Sequence, residues 1–321
     1  MSHPAKGTTA EPPEATGLSP AEAFALLGND TRIEILQALL DAGGDERPIP
    51  FSDLYERVDI DDSAHFNYHL KKLTDHFVRR TDEGYEFQYP GRKVVRSVFA
   101  GMFTDSARLE PFEAPGSCYD CGGSLFAWYL DEHLTIECEA CGATHVNYSF
   151  PPGGLDDRTP GELLQAFHHH VRHHYCLAAD GVCPECMGKV ETTVSRTAES
   201  SDLDVAVVHE CTRCRNRLHS SVGLNLLDNA EVLTFHAERG VDLSTRPFWT
   251  FDWCVSDERT TILSEEPMRV RLDIPCGDDA MCIVLDDDLD VVDVDGCARP
   301  IEADGAGGAD RARETGGADD D

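Results

Sequence analysis

Eight cysteines set out as four Cys-x-x-Cys pairs constrain this chain more than any other feature. Cys118 and Cys121 are followed after sixteen residues by Cys138 and Cys141, and Cys183 and Cys186 after twenty-four residues by Cys211 and Cys214. Between the first two pairs run Leu125-Phe126-Ala127-Trp128-Tyr129-Leu130 and Leu134-Thr135-Ile136-Glu137, which read as strands, as do 189–195 and 203–209 between the second two. Two tight turns joined by a hairpin converge four thiolates, a closed tetrahedral shell for Zn2+ that supplies folding free energy to a unit too small for its own core. A redox pair needs one Cys-x-x-Cys at a helix start in a βαβ setting, and a catalytic zinc needs an open coordination position, which four cysteines do not leave. The spacing therefore predicts two structural zinc sites, with Gly122 and Gly142 serving the turns of the first. Cys176, Cys254, Cys276, Cys282 and Cys297 stand alone and read as small buried hydrophobes.

At 321 residues, two or three cores are expected. Residues 1–18 and the acidic tail 301–321 can bury too little apolar surface to offset ordering entropy and are expected to be disordered. Between them lie a helical block at 19–104, a first zinc ribbon at 116–150, and a helix with a second ribbon and a β domain at 160–300; Pro151-Pro152-Gly153-Gly154 reads as a linker. The class expected is α+β. No stretch approaches the ~20 apolar residues of a membrane span, and Met1–Pro20 has no charged start followed by an apolar run, so a cytoplasmic protein without a membrane partner is expected.

The first block opens with Ser19 capping a short helix that has Pro20 at its first position. Asn29 or Asp30 caps a second, with Ile33, Leu36, Leu39 and Leu40 inward, and Ser52 a third, with Leu54, Tyr55 and Val58 inward. A fourth runs from about Ala64 to His76; at 100° per residue Phe66, His69, Leu70, Leu73 and Phe77 share one face, and Ala64, His65, Tyr68, Lys71 and Lys72 the other. A hairpin follows over Val78–Tyr89, turning at Asp82-Glu83-Gly84, and residues 92–102, with Val94, Val95, Val98 and Phe99, make a closing helix that could pair with a second copy.

Leu26-Leu27-Gly28-Asn29-Asp30-Thr31-Arg32-Ile33-Glu34-Ile35-Leu36 and Phe66-Asn67-Tyr68-His69-Leu70-Lys71-Lys72-Leu73 resemble the opening and the recognition helix of the ArsR-type winged helix-turn-helix regulators, over about 19–104. The resemblance implies a helix in the major groove of double-stranded DNA, a wing on adjacent phosphates and a homodimer on a two-fold operator. By position it puts Ser63, His65, Asn67, Tyr68, Lys71 and Lys72 against DNA, with Arg79 and Arg80 on the wing. Residues 1–117 contain no cysteine, and the closing helix lacks paired Asp and His ligands, so metal sensing of the founding members' kind is unsupported. An unknown effector would have to be read by the C-terminal part.

Net charge is -33, and only Lys6, Lys71, Lys72, Lys93 and Lys189 are lysine. Such a carboxylate surface looks like that of a salt-in halophile, where molar salt cuts the Debye length to ~3 Å, and regulators of halophilic archaea have a similar layout. From 50 to 100 eight basic residues face nine acids, so this segment is near neutral in an otherwise acidic chain. Because phosphate contacts weaken as salt rises, base-edge contacts are expected to carry much of any DNA affinity.

His168, His169, His170, His173 and His174 lie in a predicted helix over Pro160–Leu177. Two i, i+4 pairs could chelate a metal, but the bland alternative packs Leu163, Leu164, Phe167, Val171 and Tyr175 inward and shows the histidines to solvent. Residues 219–295 read mostly as strand, an antiparallel β domain continuous with the second ribbon. No phosphate loop, nucleophile elbow or catalytic carboxylate pair occurs at readable spacing, so no enzyme is expected. The function expected is sequence-specific DNA-binding transcriptional regulation; the alternative is a zinc-ribbon adaptor docking on the transcription machinery through protein contacts.

Overall fold

The computed structural model describes residues 17–104, 106–196 and 203–297; the tails expected to be disordered fall almost wholly outside them. The chain mixes helices with antiparallel sheets, an α+β protein, and divides between Asp105 and Ser106 into two compact units. Among the described residues no helix is long and apolar enough to cross a membrane.

The first unit contains α1 (Pro20–Leu27), α2 (Asp30–Asp41), α3 (Phe51–Tyr55), α4 (Ser63–Leu73), β1 (Val78–Arg80), β2 (Tyr85–Phe87) and α5 (Tyr89–Phe99). Local chemistry sets the starts. Ser19 and Glu22 form a reciprocal capping box on α1, Asn29 accepts from the Arg32 N–H on α2, and Asp62 accepts from the Ala64 N–H on α4. α3 departs from expectation: Pro50 precedes it, and the Ser52 hydroxyl donates to Asp53 instead of capping. α4 stops at Leu73, three residues short of the expected end, because Thr74 turns extended and the Asp75 N–H bonds the Val78 carbonyl to begin the hairpin. α5 begins at Tyr89 rather than 92, since Pro90 suits a first turn, and Val94 and Val95, expected to face a second copy, pack into the unit's own core instead. Ile35, Leu36, Leu39, Leu54, Phe66, Leu70 and Leu73 make the core, while Ile33 and Leu40 lie only at its edge.

The second unit has one main core. β3 (Leu109–Ser117), β4 (Ser124–Leu130), β5 (His133–Cys138) and β6 (Thr144–Ser149) form a four-stranded meander. α6 (Pro160–Ala179) follows, then a three-stranded sheet of β7 (Val190–Arg196), β8 (Val205–Cys211) and β9 (Arg217–Ser220). After α7 (Ala230–Ala237) and α8 (Asp252–Val255) a second meander runs through β10 (Thr260–Glu265), β11 (Met268–Cys276), β12 (Asp279–Asp286) and β13 (Val291–Cys297). The cysteine-paired segments within 116–150 and 160–300 share this core, where Phe167, Trp249, Trp253, Leu272 and Ile283 are buried together.

Two sequence expectations are corrected in this unit, and one strand lies where none is expected. That strand is β3: Pro111 and Pro115 argue against a strand, but the sheet tolerates them because β3 is an edge, paired among the described residues only to β4. Residues 223–255, read as strand, form helices and turns; Asn229 caps α7 through the Glu231 and Val232 N–H groups. Cys282, read as a lone hydrophobe, is disulfide-bonded.

Candidate functional site

Four turns of one design hold the paired cysteines. In each, the first cysteine's N–H bonds a carbonyl five residues on, and its carbonyl accepts the N–H four residues on: Cys118 with Gly123 and Gly122, Cys138 with Ala143 and Gly142, Cys183 with Gly188 and Met187, Cys211 with Asn216 and Arg215. The fourth residue after the cysteine sits at positive φ, +72° at Gly122 and +74° at Gly142, where glycine meets no Cβ penalty. The second pair of turns puts Met187 and Arg215 in the same region.

These turns bring the eight sulfurs into two tetrads, Cys118, Cys121, Cys138, Cys141 and Cys183, Cys186, Cys211, Cys214. Sγ–Sγ distances are 3.6 Å for Cys118–Cys141, 3.4 Å for Cys121–Cys138, 3.6 Å for Cys183–Cys214 and 3.5 Å for Cys186–Cys211. A tetrahedron with Zn–S of ~2.3 Å has edges of about 3.8 Å, so the donors fit zinc, whereas a disulfide needs ~2.05 Å. Gly123 and Gly188 leave the cradles open: a Cβ would lie 3.1 Å from Cys138 Sγ at the first and 3.1 Å from Cys186 Sγ at the second. Backbone N–H groups favour the thiolate at one cysteine of each tetrad, bringing Cys138 down to about 7 chiefly through the Cys141 N–H and Cys211 to about 6 chiefly through the Cys214 N–H, while burial and the neighbouring thiols push Cys118, Cys141 and Cys214 up. All eight positions predicted as ligands are thus gathered, and two zinc ions could be held in shells with no vacant position.

The positions assigned to DNA lie at the surface of the first unit. Ser63, His65, Tyr68, Lys71 and Lys72 are exposed on α4 and Asn67 is half-buried, opposite buried Phe66, His69, Leu70 and Leu73. Ser63, Asn67 and Lys71 line one groove with Arg80 of β1, and Asp82 and Glu83 of the hairpin turn line it too. Lys72 Nζ lies 5.6 Å from the centre of the Tyr68 ring, and His65 Nε2 lies 2.8 Å from His69 Nε2. Arg79 faces Glu86 across the hairpin, with Nε 2.8 Å from Oε1, so its charge is already paired, whereas Arg80 is exposed.

The histidine run is not a solvent display. Only His169 and His173 are exposed; His168 is fully buried, its Nδ1 accepting the Phe248 N–H at 3.2 Å and its Nε2 lying 3.4 Å from the Ser244 carbonyl. His170 and His174 are half-buried beside Tyr148, whose hydroxyl is 2.9 Å from His174 Nδ1. Among the described residues only the cysteine tetrads form a group with metal-ligand geometry. Arg172, inside the same run, is buried and donates to Asp228 and to the Leu227 and Leu243 carbonyls, pinning 227–243 to α6.

Burial pushes His168 down to about 4, and burial with the neighbouring His170 and His173 takes His174 to about 4. Both rings are then neutral when folded, while the unfolded chain takes up protons near pH ~6.5. Below that value the unfolded state binds more protons, so stability falls as pH drops towards about 4 and is unaffected above it. With zinc in excess, the melting temperature read from tryptophan emission is expected to be flat above about pH 7 and to fall steadily towards about pH 5; a flat profile throughout would contradict this account of the buried rings.

Fold and site together define a two-unit α+β protein whose larger unit carries two four-cysteine centres compatible with zinc ribbons. Residues 115–291, more than half of the 321, match the family described as Domain of unknown function (DUF7351), and the chain belongs to that family. Residues 20–98 match a second, Domain of unknown function (DUF7347). No curated protein and no solved structure matches the chain.

Proposed function

We propose that the first unit is a winged helix-turn-helix of ArsR type that reads double-stranded DNA, and that the chain is a sequence-specific transcriptional regulator whose second unit is stiffened by two structural zinc ions. The observation that carries this reading is the exposed face of α4 directly before a hairpin, with Ser63, Asn67, Lys71 and Arg80 lining one groove. A helix whose inner face is locked by Phe66, Leu70 and Leu73 presents its outer side chains rigidly, as base-edge recognition requires. Asp82 and Glu83 in the same groove favour the other reading, an adaptor that takes a basic protein segment there. Selection from a random duplex library at molar salt separates the two: a two-fold symmetric motif is expected, and recovery without sequence preference would move the weight to the adaptor.

A two-fold motif requires a homodimer. Tyr89, Phe99, Met102 and Phe103 are 67%, 52%, 51% and 72% exposed on and just after α5, an apolar surface that a second copy would cover. Light scattering should report a dimer, and Phe99→Asp with Phe103→Asp should convert it to a monomer with an unchanged α-helical spectrum; a monomeric native protein would remove this part of the proposal.

A further inference from the structure

A cavity of about 360 Å³ lies in the second unit, walled by β6, the middle of α6, residues 219–221 and residues 254–258. Small-molecule sites occupy ~300–1,000 Å³. The wall is largely aromatic, with Tyr119, Tyr148, Tyr175 and Phe248. Most of its polar groups are satisfied within the protein: the Tyr175 hydroxyl donates to the His219 carbonyl at 2.6 Å, Ser221 to the Cys254 carbonyl at 2.7 Å, and Ser256 to the Asp252 carbonyl at 3.1 Å.

His145 is the exception. It lines the cavity at 6% exposure, with its ring 4.8 Å from that of Tyr119. Its Nδ1 lies 3.2 Å from the Trp249 carbonyl, and a carbonyl only accepts, so Nδ1 carries the proton and Nε2 is left as a bare acceptor. That Nε2 is buried without a hydrogen-bond partner. Leaving such an atom unpaired carries a desolvation penalty, which a donor brought by a ligand would recover. Glu258, also lining the cavity, is exposed and has no ion pair among the described residues, while Asp257 is occupied by the Asp204 and Val205 N–H groups. The cavity thus offers aromatic walls, one buried acceptor and one carboxylate without an ion pair among the described residues.

We propose that this cavity binds a small heteroaromatic amine, with its ring N–H donating to His145 Nε2, its ring against Tyr119 and Phe248, and its ammonium group facing Glu258. Because Tyr119 lies between Cys118 and Cys121, the first metal centre shapes the wall that meets the ring. The inference is independent of what the first unit binds, and its test uses no DNA.

Calorimetric titration of the zinc-loaded full chain uses tryptamine as probe, against 1-methyltryptamine, which lacks the ring N–H, and indole-3-acetate, which reverses the charge. Tryptamine is expected to bind, with each analogue at least ~10-fold weaker, about 1.4 kcal/mol. Glu258→Gln should weaken tryptamine by a similar factor, and His145→Phe should erase the preference for tryptamine over 1-methyltryptamine. The analogue series stands even if His145→Phe fails to fold. No binding of tryptamine at millimolar concentration, or equal affinity for all three compounds, overturns the proposal.

Discussion

Chelating the metal should unfold the second unit and leave the first folded. The two have separate cores, and the cysteines belong only to the second. Within it the two tetrads are anchored differently. Cys118 and Cys138 are part of the main core, beside Leu125, Leu134 and Ile136. Among the described residues the buried cluster around the other tetrad is Cys183, Val190 and Cys211, with Cys186 against it, so its turns have little apolar packing besides the metal to hold them. Apparent zinc-binding free energies of ~10–16 kcal/mol in small zinc domains rival or exceed the ~5–15 kcal/mol net stability of a whole domain. The native protein should therefore contain about two zinc ions per chain, as two closed four-cysteine shells require. Cys211→Ser should lose about one of them and loosen β7–β9 locally, whereas Cys138→Ser should lose one and lower the melting temperature of the whole unit. Trp128, Trp249 and Trp253, the three tryptophans of the chain, lie in the second unit, so their emission reports on it alone. Tryptophan emission unchanged by exhaustive chelation, or a zinc content near zero in protein prepared under reducing conditions, would refute the structural role.

The tetrads were legible because their information is local: the turn needs only Cys-x-x-Cys, and alternation between the pairs supplies the hairpin. Much the same holds for α1, α2 and α4, where Ser19, Asn29 and apolar spacing act within a few residues. Reading failed where tertiary partners override local preference. β3 carries Pro111 and Pro115 and is strand only because β4 lies beside it on one side. The aromatic run Phe248-Trp249-Thr250-Phe251-Asp252-Trp253 has strand composition but is turn and helix, since Trp249 and Trp253 insert into a core built by α6 and the sheets; Trp249 Nε1 donates to the Pro115 carbonyl at 3.0 Å, across 134 residues. His168 took its buried role from Phe248, eighty residues away. His145 escaped notice for the same reason: its partner is the carbonyl of Trp249, 104 residues on, and no local pattern marks a histidine whose outer nitrogen is left unpaired.

If α4 reads DNA, Tyr68→Ala with Lys71→Ala should abolish selective binding, and the single variants should fail in different ways. Both side chains are on the outer face, and Tyr68 is 55% exposed, so neither change opens a core cavity and the melting temperature should stay within a degree or two of native. A lost base-edge contact costs ~1–3 kcal/mol at one position of the site, about 5- to 150-fold, and relaxes the preference there. Tyr68→Ala should behave this way, and Lys72, held over the same ring, should be displaced with it. A lysine on phosphate instead weakens all sequences alike and lowers the slope of log K against log salt by about 1. Lys71→Ala is expected to show that signature, as is Arg80→Ala, which shares the groove. Arg79→Ala should change little, because Glu86 already neutralises that guanidinium across the hairpin. Phosphate contacts contribute least in molar salt, so the Tyr68→Ala loss should dominate there and the Lys71→Ala and Arg80→Ala losses should grow as salt is lowered. Should all these variants bind an unselected duplex as the native protein does, α4 is not a reading helix, and its groove, with Asp82 and Glu83, is the surface of a protein-docking adaptor.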